Sequence, residues 1–130
     1  MNIHNNDTIV ARSTPAGFGA LAIVRLSGPN TRVIIRNTTN ISTKLTHKQV
    51  NYCDFLDKNS VIDKVILTFF QAPNSYTGED LAEISCHGSP AIVKQIIDLC
   101  IQAGARHAQP GEFTKRRFLH NKIDLTQAEG

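Results

Sequence analysis

The sequence predicts an α+β fold, a mixed or antiparallel sheet with helices packed on one side. Two observations carry this reading. Strand-like and helix-like segments alternate irregularly, and a hairpin signal sits mid-chain, where a doubly wound parallel sheet would have a crossover. Size and composition agree, because 130 residues suffice for one domain that buries most of its unfolded apolar surface. The 41% hydrophobic and 19% charged content is that of a folded chain rather than a disordered one.

Thr8 to Ser13 and Ala20 to Ser27 read as short strands, separated by a turn that Pro15, Gly17 and Gly19 demand. Alternation in the second puts Leu21, Ile23 and Arg25 on one face and Ala20, Ala22, Val24 and Leu26 on the other, so a cation stands among apolar neighbours. Ser27 is expected to cap a short helix with Pro29 early in it. Thr38 to Lys48 is polar and without period, the expected mobile segment. Val50 to Leu56 and Val61 to Phe70 read as a hairpin around an Asp57–Ser60 turn, and Asp80 to His87 as a further strand. Ser89-Pro90 opens a helix whose stripe of Ile92, Val93, Ile96, Ile97, Leu99 and Cys100 ends at Gly104. Arg106 to Ala108 is a last short strand and Glu112 to Asn121 a last full helix, with another helix opening near Asp124.

A net charge of +3 is too small to imply a nucleic-acid partner by itself. Cys53, Cys86 and Cys100 are odd in number and form no C-x-x-C pair, which argues against a metal half-site or a secreted disulfide framework and for a reducing compartment. The start, MNIHNNDT, has no basic flank before an apolar run, and no stretch is long enough to span a bilayer. A soluble, cytoplasmic protein without a membrane partner is expected.

Two segments are dense in polar side chains where a core would want apolar ones: Pro73 to Gly88, PNSYTGEDLAEISCHG, and Pro110 to Glu129, PGEFTKRRFLHNKIDLTQAE. They read as halves of one site. Within the first, alternation places Leu81, Glu83, Ser85 and His87 on one strand face and Ala82, Ile84 and Cys86 on the other. Glu83 is the first candidate for ligand recognition, since a carboxylate accepts two parallel N–H donors of a planar, nitrogen-rich ring. Ser85 and His87 are its neighbours. A solvated strand face with a salt bridge is the alternative.

Other chemistries find less support. There is no calcium-loop series and no G-x-x-x-x-G-K-[ST] phosphate loop, and TPAGFGALA offers only G-x-G, a structural turn. Cys86 and His87 point to opposite faces, so a thiolate-imidazole dyad is not expected, and His4, His47, His107 and His120 lack ligand spacing. Lys115, Arg116 and Arg117, with Arg106 and Lys122, read either as a basic patch that binds RNA or an acidic ligand tail, or as a solvated helix face. Lys122 ends the helix and can reach into a cleft.

Taken together, the motifs DTIVA, TPxGxG at Thr14 to Gly19, IVRLSGP at Ile23 to Pro29, PNSYTGED, E-I-x-C-H-G, AGAR at Ala103 to Arg106, PGEFT and FLxxKxDLTQAE resemble the N-terminal domain of the MnmE (TrmE) tRNA-modification GTPases. The resemblance runs from Asp7 to Glu129. It implies a single domain over residues 1–130, related to the tetrahydrofolate-binding module of aminomethyltransferases, that binds a 5-formyl- or 5,10-methylene-tetrahydrofolate and forms a homodimer. Folate contacts then fall on Arg25, Glu83 and Lys122, with Arg25 expected at the glutamate tail and Lys122 nearer the ring or its one-carbon substituent. Family members act with the FAD protein MnmG (GidA) on the wobble uridine of certain tRNAs. GTP, with its magnesium and potassium ions, would belong to a G domain beyond these residues, so the chain reads as a fragment without GTP hydrolysis of its own. Phe18, Ala20, Ala22, Ser89, His120 and Gly130 depart from the family pattern.

Overall fold

A computed structural model describes residues 7–14 and 20–129, with side chains through residue 120. Six strands form one sheet: β1 Ile9–Arg12, β2 Leu21–Ser27, β3 Val50–Asp57, β4 Ser60–Phe70, β5 Leu81–His87 and β6 Arg106–His107. Their order across the sheet is β3-β4-β5-β2-β1-β6. Every pairing is antiparallel except that of β1 with β6. The helices are α1 Thr31–Thr38, α2 Pro90–Gln102 and α3 Glu112–Glu129, and the α+β class read from the sequence holds. Among the described residues no helix is long and apolar enough to cross a membrane.

Alternation decides which face is core. Ala22, Val24 and Leu26 of β2, Ala82, Ile84 and Cys86 of β5, and Val65, Leu67 and Phe69 of β4 are buried in one cluster with Ile34 and Ile35 of α1 and Val93, Ile96 and Cys100 of α2. This is the face covered by α1 and α2. On the other face, cross-strand register sets Ala11, Arg25, Glu83 and Thr68 in one row and Ile23, Ser85, Ile66 and Tyr52 in the next. That face remains partly open, with Tyr52 81% and Leu21 60% exposed.

Most elements lie where the sequence puts them, and two readings change. Asn30, not Ser27, precedes α1, and it makes no side-chain cap bond. The Ser27 hydroxyl is drawn instead to Thr77 and Glu79. The last helix is one 18-residue element, without a fresh start near Asp124. No proline or glycine interrupts Glu112–Glu129, and a single mid-helix aspartate costs only a few tenths of a kcal/mol. The polar 38–48 segment is anchored at Leu45, buried in the core, whose carbonyl accepts from Arg32 Nη1 at 3.1 Å. The turn predicted at Pro15, Gly17 and Gly19 lies outside the described residues, as do His4, Phe18 and Gly130.

Candidate functional site

The two polar segments meet. Tyr76 Oη lies 3.1 Å from Thr114 Oγ1, and Arg117 Nη1 donates to the Tyr76 carbonyl at 3.0 Å. Gly78 has φ 82°, and a Cβ there would fall 2.6 Å from His120 Nδ1, so only glycine lets the 73–80 loop lie against α3. The Ala72–Pro73 peptide in this loop is cis.

Much of the polar density in these motifs is consumed by one ion-pair network. Arg106 forks onto Glu112, Nη1 to Oε1 at 3.1 Å and Nη2 to Oε2 at 2.7 Å, while its Nε donates to Asp7 Oδ2 at 3.0 Å. Arg116, 2% exposed, donates to Glu79 Oε1 at 3.1 Å, to Glu112 Oε2 at 3.4 Å and to the Asp7 carbonyl at 2.6 Å. Glu79 also accepts from Ser27 Oγ at 2.8 Å, and Ser27 pairs with fully buried Thr77 at 2.7 Å. The Arg106 fork, with the Gln109 N–H and nearby Arg116, holds the Glu112 carboxyl down to about 2. Residues distant in sequence, from Asp7 to Arg116, are thereby cross-linked without a covalent bond.

Glu83 stands apart from this network. It faces Arg25 in register across β5 and β2, and Arg25 Nη2 donates to its Oε2 at 3.0 Å. That is the single hydrogen bond of its side chain among the described residues, and the side chain is 30% exposed. The Arg25 guanidinium lies 4.7 Å from the Tyr76 ring centroid and 5.6 Å from that of Phe113, while Nε is buried with no acceptor among the described residues. A buried N–H left unpaired costs about 1–3 kcal/mol, which two cation–π contacts at about 0.5–2 kcal/mol each offset. The pair is thus walled by aromatic rings and supplied with donor and acceptor capacity that the fold does not use.

The remaining candidates resolve differently. Ser85 sits between Ile23 and Ile66 on the same face as Glu83. His87, at the end of β5, is committed to Asp63: its backbone N–H donates to Oδ2 at 2.8 Å and its Nδ1 lies 2.6 Å from Oδ1. Cys86 is buried on the opposite face, and desolvation pushes its thiol up to about 11, with Cys53 also near 11 and Cys100 near 12. Burial therefore disfavours the thiolate form of all three, and Cys86 and His87 lie on opposite faces of β5. Among the described residues no cluster of His, Cys, Asp and Glu could hold a metal ion. The Lys115–Arg117 run does not form a continuous basic surface, because Arg116 is buried in the network and Arg117 is drawn over Tyr76, 4.8 Å from its ring centroid.

Comparison with known proteins gives the chain a family. A family profile described as GTP-binding protein TrmE N-terminus matches residues 8–122. The chain belongs to this TrmE N-terminal family. The tRNA modification GTPase MnmE of Thermotoga maritima is 46% identical over 123 residues, which cover 95% of this chain and 27% of that protein. The MnmE of Pseudothermotoga lettingae is 48% identical over 125 residues, 95% of this chain and 28% of that protein, and the MnmE of Cytophaga hutchinsonii 46% over 129 residues, 97% and 28%. The chain therefore spans less than a third of the length of the curated MnmE relatives it matches.

Of the three candidate contacts in this TrmE N-terminal domain, Arg25 and Glu83 are brought together on the open sheet face. Lys122 lies on α3, and its side chain is outside the described residues. The aromatic walls, Tyr76 and Phe113, were not singled out from the sequence. Both stand in the polar segments read from the sequence, in PNSYTGED and PGEFT, but nothing in one sequence says that two aromatics 37 positions apart converge on an arginine in β2.

Proposed function

We propose that this domain binds a reduced folate, a 5-formyl- or 5,10-methylene-tetrahydrofolate, and serves as the folate-binding and homodimerisation domain of a tRNA-modification GTPase. The observation that carries the reading is the Arg25–Glu83 pair, with its unused hydrogen-bonding capacity on the open sheet face. A pterin offers two parallel N–H donors to a carboxylate, and the Glu83 side chain has an oxygen left to accept them. The rings of Tyr76 and Phe113 supply apolar walls for a planar ligand.

The ion pair also moves one assignment. Pterin and glutamate tail are at opposite ends of an extended folate, so residues joined at 3.0 Å meet the same end. We therefore place Arg25 with Glu83 at the ring rather than at the tail, and leave Lys122 for the tail or the one-carbon substituent. Bound there, the folate would supply a one-carbon unit. In the cytoplasm, the longer protein would act with the FAD protein MnmG (GidA) to install an aminomethyl or carboxymethylaminomethyl group on C5 of the tRNA wobble uridine. GTP hydrolysis, with magnesium and potassium, belongs to a G domain, since residues 1–130 contain no phosphate loop. A relation to the folate module of aminomethyltransferases is part of the same proposal.

The alternative of a stand-alone aminomethyltransferase is disfavoured by relatives that are more than three times as long. An RNA-binding module using Lys115 to Arg117 is disfavoured by the burial of Arg116. Calorimetry of 5-formyltetrahydrofolate with the protein, beside sedimentation for its oligomeric state, tests the proposal. Binding that falls at least tenfold in Glu83→Ala supports it, and absence of binding to the unaltered protein refutes it.

A further inference from the structure

Tyr76 lies in the loop between β4 and β5, outside any strand, and is 39% exposed. A ring so placed would ordinarily turn freely. Here its hydroxyl is paired with Thr114 at 3.1 Å, its own carbonyl accepts from Arg117 at 3.0 Å, and two guanidiniums, those of Arg25 and Arg117, stand 4.7 and 4.8 Å from its centroid. These contacts come from β2 and from α3, so Tyr76 is latched on one side and presses on Arg25 on the other.

What Tyr76 holds in place is an arginine with a reason to move. Arg25 Nε is buried without an acceptor, and the guanidinium has one hydrogen-bond partner among the described residues, Glu83 Oε2. Released from the ring, the long side chain gains water at Nε and rotamer freedom by swinging outward, and Glu83 then loses the one donor that fixes its carboxylate plane. We propose that Tyr76 is a positioning residue for ligand selection: by pinning Arg25 it holds the Glu83 carboxylate in one orientation, and that orientation makes the site discriminate for rings offering two parallel N–H donors. The proposal rests on the folate reading of the site for its ligand, and on the Tyr76–Arg25–Glu83 geometry alone for its mechanism.

A fixed carboxylate accepts both donors at once, whereas one that rotates meets them singly and discriminates less. The probes are 5-formyltetrahydrofolate and its 2-desamino analogue, which lacks one of the two donors, titrated into the unaltered protein, Tyr76→Phe and Tyr76→Ala. Tyr76→Phe keeps the ring over Arg25 and is expected to keep the affinity ratio of the two probes. Tyr76→Ala is expected to weaken the natural probe about tenfold and the analogue less than about threefold, so that the ratio collapses. Equal losses for both probes would make the ring a simple pocket wall and overturn the proposal, as would an unchanged ratio.

A ligand-free arm separates the inference from the folate reading. The Arg25 Nε–H resonance, followed by NMR, is expected to be sharp and slowly exchanging in the unaltered protein and in Tyr76→Phe, and to be lost to solvent exchange in Tyr76→Ala. An Arg25 signal that stays protected in Tyr76→Ala refutes the positioning role whether or not any folate binds. Failure of both probes to bind the unaltered protein, with the Arg25 signal behaving as expected, refutes the ligand assignment and leaves the latch standing.

Discussion

Glu79 and Glu112 on one side, and Glu83 on the other, are carboxylates of the same motif-rich region with opposite fates. Glu79 accepts from Ser27 and from Arg116 on both oxygens, and Glu112 from Arg106, Arg116 and the Gln109 N–H. Glu83 accepts from Arg25 alone among the described residues. The first two are filled by the fold and serve to hold it, while the third keeps hydrogen-bonding capacity that the fold does not use. Polar density in a sequence therefore does not mark a binding site, and what distinguishes one is hydrogen-bonding capacity left over after folding.

The comparison is open to direct attack, beginning where the largest effect is expected. Replacing Arg116 by Met leaves Glu79 and Glu112 short of a buried counter-charge and should lower unfolding free energy by about 3–5 kcal/mol, read from urea denaturation. A loss below about 1 kcal/mol would mean that the network is not what joins α3 to the sheet. Acid is the next probe. The Glu112 carboxyl is lowered from 4.5 to about 2, so its contribution is present in full above about pH 4.5 and is lost as pH falls through 2. It amounts to at most about 3 kcal/mol. Stability of Glu112→Gln should accordingly show a flatter acid limb over that window, and an unaltered limb would count against the Arg106 fork.

Smaller effects sharpen the contrast. Gly78→Ala puts a side chain at φ 82° and against His120, which should cost about 2 kcal/mol. His120→Gly in the same chain removes both the ring and the Cβ that crowd the new side chain and should recover the steric part, measured against His120→Gly alone, and no recovery would place the strain in the backbone. Smallest in stability should be Glu83→Gln, within about 1 kcal/mol because the pair is partly exposed, although folate binding should fall at least tenfold. A large stability loss there would move Glu83 into the same class as Glu79 and Glu112.

Much of this was legible in the sequence for physical reasons. Period-two alternation in AEISCH separated Glu83 from Ala82 and Ile84, and the structure keeps that separation, with Glu83 on the open face and the other two in the core. The hairpin was announced by β-branched and aromatic runs around Asp57–Ser60, and Lys58 does adopt φ 56° in that turn. Partners were not legible. Ser27 stands where a helix cap belongs, and only the approach of Thr77 and Glu79, about 50 positions away, redirects its hydroxyl. Arg116 looked like surface charge because a three-cation run on a helix does not say which member faces inward, and the answer depends on where Glu79 falls in space. Alternation and turn chemistry are local, whereas charge pairing is decided by the topology that brings strangers together.

That topology has a kinetic consequence. The β3–β4 hairpin closes over a two-residue connection, but β2 and β5 are neighbours in the sheet although Arg25 and Glu83 are 58 residues apart in the chain. Joining them requires closing a long loop that contains α1 and the whole hairpin, an entropic cost met only when the central strands dock. The Arg25–Glu83 pair should thus be among the last parts of the molecule to form. Pulse-labelled hydrogen exchange during refolding should protect the hairpin amides before those of β2 and β5, and simultaneous protection would show that the sheet condenses as one unit. Newly made protein would then assemble the proposed folate contacts only at the final step of folding.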